Sequence, residues 1–149
     1  VQICGDARIV KPSDDRHVAA EKVLREAGIQ SQRVEIPMNV FEYRDYKKLV
    51  EELFEKYPEV DGIFCVDNIA CAVLQEAYKR NIKIPEQLKV VGYDGNDVSQ
   101  MTTPVLTTIR QQLDLLAEKA VTILMDEIDG KQVNGIHKIP VVLEMGKSV

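Results

Sequence analysis

The stretch VVGYDGND, Val90 to Asp97, decides how this chain is read. Residues suited to a buried strand run straight into a turn carrying Asp94, Gly95, Asn96 and Asp97. An apolar run without alternation is the mark of a strand covered on both faces, as in parallel sheets flanked by helices. Asp61 to Val66 (DGIFCV) has the same character, and Val1 to Gly5 (VQICG) is a third short apolar run closed by glycine.

Helical patterns lie between these runs. Val18, Ala19, Val23, Leu24 and Ala27 recur at helical spacing up to Gly28, with Ser13 or Asp14 as candidate N-cap. Val34 to Pro37 alternates as a short strand. Tyr43, Tyr46, Leu49, Val50, Leu53, Phe54 and Tyr57 then form an apolar stripe ended by Pro58, read as core rather than as a surface for stacking bases. A helix is expected over 68–80, strands over 89–93 and 106–109, and a second clean helical stripe from Leu113 to Ile128, closed by Gly130. Ile139 to Met145 reads as a last strand, and Pro140 favours an edge position for it. The expected fold class is α/β, a doubly wound parallel sheet with helices on both faces.

Composition narrows the function. At 149 residues, 45% of them hydrophobic and 29% charged, the chain can bury a core without disulfides or metals. Its longest apolar runs are too short to span a membrane. A net charge of −5 with no Lys/Arg block offers no face for a phosphate backbone, so direct nucleic-acid binding by these residues is not expected. Cys4, Cys65 and Cys71 read as buried free thiols of a reducing cytosol, and His17 and His137 stand too far apart to build a metal site with them.

In open α/β sheets ligands bind beyond the carboxyl ends of the strands. Asp67 and Asn68 leave one strand there and Asp94 leaves the next. Two roles stay open for each: Asp67 or Asn68 can cap the following helix, and Asp94 with Asp97 can stabilise a turn, or the carboxylates can serve a ligand. Catalytic motifs are missing. There is no G-x-S-x-G elbow and no glycine-rich phosphate loop, and the calcium-loop pattern that begins at Asp94 has Val105 where a bidentate Glu is needed. An acid/base pair would lack an activated nucleophile, and nothing calls for a cofactor.

Taken in order, RHVAAEKVLREAGI, DGIFCVDNIACAVL, VVGYDG and LTTIRQ resemble the effector-binding region of LacI/GalR-type bacterial transcription regulators over nearly the whole chain. The resemblance implies a two-lobed core like periplasmic sugar-binding proteins, of which 1–105 would be the C-terminal lobe. Residues 106–137 would be a crossover strand and helix of an N-terminal lobe otherwise absent, and 138–149 would return. It implies a cytoplasmic homodimer that touches DNA only through an absent helix-turn-helix headpiece. The effector would be a small sugar or sugar phosphate held by Arg16, Phe41, Asp67, Asp94 and Gln111. The family commonly reads Asn-Asp where this chain reads Asp67-Asn68, and Gly where it has Ala19. A sugar-binding protein of a transport system and an α/β enzyme acting on sugars are the alternatives.

Overall fold

The computed structural model describes residues 1–5, 11–36 and 42–149. Phe41 lies outside the described residues, as do the side chains of Ser13 and Tyr43. The elements are β1 (Gln2–Gly5), α1 (Lys11–Glu26), β2 (Arg33–Ile36), α2 (Tyr43–Lys56), β3 (Gly62–Phe64), α3 (Asp67–Lys79), β4 (Lys89–Asp94), a 3-10 turn (Asp97–Gln100), β5 (Thr107–Gln111), α4 (Leu113–Ile128) and β6 (Val141–Glu144).

Six strands form one sheet in the order β2-β1-β3-β4-β5-β6. The first five are parallel, and β6 runs antiparallel along the edge beside β5. Pro140 thus sits where its missing N–H costs nothing, just before an edge strand. Strand residues alternate between two covered faces. Ile63, Val90 and Leu106 go into the core with Val50, Leu53 and Phe54 of α2 and Ile69, Val73 and Ala77 of α3. Each large side chain fully buried there contributes roughly 1.5 to 3 kcal/mol. On the opposite face Phe64, Val91, Tyr93 and Ile109 line a groove with α1. The doubly wound α/β architecture with helices on both faces is the one found.

Two expectations about α1 need correction. The helix begins at Lys11, ahead of both proposed caps, and Asp14 in its first turn bonds Arg33 Nη1 at 2.6 Å instead of capping. Its apolar stripe is also only partly covered: Val18 and Val23 are 51% and 63% exposed. The residue that α1 buries most deeply is His17, whose Nδ1 meets Gln2 Oε1 at 2.9 Å and whose ring packs on Phe64.

The tail closes the sheet from below. Ser148 is fully buried, donating to Val90 O and accepting from Thr107 N, while Val90 N donates to Ser148 O. By contrast α4 buries none of its residues, and Leu113, Leu116, Val121, Leu124 and Ile128 are all exposed. The strand part of 106–137 stays paired with β4 as far as Arg110; only the helix departs from the sheet.

Candidate functional site

The parallel strands deliver their carboxyl ends to one edge, and the side chains singled out above gather there unequally. Asp94 is the last residue of β4 and Gln111 the last of β5, and Gln111 Nε2 donates to Asp94 Oδ1 at 2.8 Å. Arg16 reaches the same place from the second turn of α1, with its guanidinium carbon 4.0 Å above the Tyr93 ring centre. A cation on an aromatic face at that distance is held in place, and its planar fork carries N–H donors suited to hydroxyls. Behind it an apolar groove lies between α1 and the sheet, lined by Ala20, Val23, Phe64 and Ile109.

Asp94 is half-buried. Burial pushes its carboxyl pKa above the usual carboxylate range, and the Arg16 charge and the Gln111 hydrogen bond pull the other way. Its backbone sits at φ +114°, which side-chain-bearing residues rarely adopt and which costs about 1 to 3 kcal/mol unless neighbours enforce it. Gly95 follows at φ +71°, a value glycine takes freely. Beside them a concavity of about 660 Å³ is lined by Asp94, Asn96, Asp97, Arg110, Gln111 and Asp114, among others. Arg110 in its wall is paired with Glu144 at 2.7 Å.

Asp67 sits differently. It is at the same end of the sheet but completely buried, and its oxygens are occupied: Oδ1 accepts from Thr108 Oγ1 at 2.6 Å and Oδ2 from Asn96 N at 2.7 Å. Burial raises its pKa, the Thr108 and Asn96 bonds oppose that, and the Asp94 charge adds to it. Neither Asp67 nor Asn68 caps α3, contrary to the capping reading. The N-cap is Val66, with no side-chain cap bond, and Asn68 is exposed.

The structure therefore brings Arg16, Asp94 and Gln111 together, places Asp67 beneath them, and leaves Phe41 outside the described residues. Sequence reading missed Tyr93, Thr108 and Asn96. It also passed over the one available signal, Gly92 inside an otherwise bulky strand, which marks a close approach. A Cβ on Gly92 would overlap Asp67 Oδ1 and stand 2.7 Å from Leu106 Cδ2. Among the described residues no group of three or more His, Cys, Asp or Glu is arranged to hold a metal ion.

Residues 1–149 match the family profile described as periplasmic binding protein-like domain. Among curated proteins the chain is 32% identical over 114 residues to the ribose operon repressor of Bacillus subtilis (strain 168), covering 76% of this chain and 34% of that one. It is 29% identical over 113 residues to the HTH-type transcriptional repressor CytR of Escherichia coli (strain K12), covering 75% and 33%. The chain thus spans about a third of the length of these relatives. Among solved structures, the transcriptional regulator CelR–cellobiose complex superposes with a TM-score of 0.86 at 23% identity, over 100% of this chain and 46% of that one. The Lac repressor bound to ONPG superposes with a TM-score of 0.86 at 21% identity, over 99% and 44%. No helix among the described residues is long and apolar enough to cross a membrane. The chain belongs to the periplasmic binding protein-like domain family, and its homologues are LacI-family transcriptional repressors.

Proposed function

We propose that this chain is the larger part of one lobe of an effector-binding domain, and that it grips a small polyhydroxylated molecule, a sugar or sugar phosphate, against a second lobe. The observation that carries the reading is the convergence of Arg16, Asp94 and Gln111 at the carboxyl edge of β4 and β5. A carboxylate accepts from hydroxyls, a guanidinium and an amide donate to them, and an ionised partner makes each such bond worth about 1.5 to 3 kcal/mol. Phe41 is assigned as an aromatic cover for the sugar's apolar side.

The uncovered helix α4 supports the lobe assignment. Its apolar stripe would pack into the second lobe, from which 138–149 returns. Binding between lobes favours whichever lobe orientation the ligand contacts better, and a DNA-binding headpiece of the longer protein would convert that bias into gain or loss of operator binding. The regulator would act in the cytoplasm as a homodimer, matching two-fold operators, without catalysing a reaction.

A thermal-shift screen of the full-length gene product against D-ribose, sucrose, cellobiose and hexose phosphates tests this. A ligand at 100 times its Kd adds about 2.7 kcal/mol to the folded state and raises Tm by several degrees. No shift with any of these compounds, or turnover of one of them, contradicts the reading.

A further inference from the structure

We propose that Asp67 is the positioning residue of this site: from beneath the sheet edge it brackets the turn after β4 through the Asn96 N–H and so fixes where Asp94 points, without meeting the ligand itself. The inference deepens the reading above and rests on it for the meaning of Asp94, although the bracket can be tested with no ligand present.

Three observations carry it. Asp67 is wholly buried, with each oxygen already accepting a bond, so it is not exposed to a sugar hydroxyl. The bonds join three different segments: Asp67 opens α3, Thr108 lies in β5, and Asn96 follows β4. The backbone N–H it accepts, that of Asn96, comes two residues after Asp94, which holds φ +114°. A buried carboxylate short of donors is costly, so that N–H is held firmly toward it, and with it the backbone turn that aims Asp94 at Gln111. Gly92 keeps the passage open, since any side chain there would collide with the Asp67 carboxylate. Thr108 supports the other oxygen from β5, where it pairs with Gly92.

The bracket predicts a separation that general loosening of the fold would not give. NMR on the 149-residue chain compares wild type with Asp67→Asn, Thr108→Val and Asn96→Pro. It follows the three-bond HN–Hα coupling of Asp94, which reports φ, its carboxyl titration, and the contact between its side chain and the Gln111 amide. Asn96→Pro removes the bracketing N–H, keeps the Asp67 charge, and suits the φ of −69° at that position. Asp67→Asn and Asn96→Pro are expected to change the Asp94 coupling, break the Gln111 contact and shift the Asp94 carboxyl titration. Thr108→Val should lower stability while leaving all three signals in place. In Asp67→Asn the Asn96 amide should exchange roughly 10- to 150-fold faster, the equivalent of losing one charge-assisted hydrogen bond. If Asp67→Asn does not fold, Asn96→Pro decides alone. Asp94 signals unchanged in Asn96→Pro, or disturbed equally by Thr108→Val, overturn the proposal. Because no sugar is present, a failed ligand screen leaves this result standing, and a failed bracket leaves the sugar reading to its own test.

Discussion

Gln111 Nε2 donates to Asp94 Oδ1 across 2.8 Å, tying the terminal residues of two neighbouring parallel strands side by side. Arg16 completes the group from α1, braced on Tyr93. A lysine at that position would keep the charge but lose both the planar fork and the stacking. Arg16→Lys in the full-length protein is therefore expected to weaken effector binding about tenfold, the equivalent of one hydrogen bond to a charged group, as read by calorimetric titration. Equal affinity would show that Arg16 serves only as a cover for Tyr93.

Gly92 faces the buried carboxylate of Asp67. Gly92→Ala should cost about 1 to 3 kcal/mol, as overpacking of a closed site does, because the obstacle includes a pinned carboxylate and Leu106. Urea denaturation of the 149-residue chain measures it. Gly62 has open space around its Cα, so Gly62→Ala is the control and should fall well short of that loss.

His17 is buried against Gln2 and Phe64, and its pKa is pushed down to about 4, first by burial and then by the Arg33 and Arg16 charges, against the pull of Glu21 and Asp14. A base whose folded pKa lies below its unfolded value stabilises the fold fully above the unfolded pKa of 6.5, and that contribution is lost as pH falls toward 4. The full loss is about 3 kcal/mol. Asp67 and Asp94 act in the opposite sense. Their raised folded pKa values favour the protonated form, so their contribution is greatest below the unfolded carboxylate pKa and is lost as pH rises through the folded value. Denaturation of wild type and His17→Gln at pH 7 and pH 5 isolates the histidine, since the variant should lose the His17 part of the decline. Parallel curves would contradict the assignment.

The helix α4 has no buried residue and makes no packed face with the sheet. A lone 16-residue helix is marginal in water. Its amides should exchange orders of magnitude faster than those of α3 in the 149-residue chain, with protection restored in the full-length protein or by self-association at high concentration. Protection of α4 in a strictly monomeric 149-residue chain would remove it from the second lobe.

Much of this fold was legible because its signals are periodic. The stripe from Leu113 to Ile128 marks both ends of α4, and the unbroken apolar runs at Ile63 and Val90 mark strands covered on two sides. Local chemistry was harder to read. Whether Asp14 caps a helix or meets Arg33 depends on where β2 lands, 19 residues away. Whether a carboxylate at a strand end faces ligand or core depends on its neighbour strand, and Asp67 turns inward because Gly92 leaves room and Thr108 and Asn96 supply donors. The exposure of Val23 is likewise invisible in a helical stripe, because nothing in α1 itself tells how far the sheet beneath it extends.

If the carboxyl edge of β4 and β5 grips hydroxyls through Asp94, as proposed, the Asp94→Ala variant of the full-length protein binds the sugar that gives the largest thermal shift about 1.5 to 3 kcal/mol more weakly, or roughly 10- to 150-fold in Kd by calorimetric titration, with the fold intact by circular dichroism. An unchanged Kd would remove Asp94 from the site.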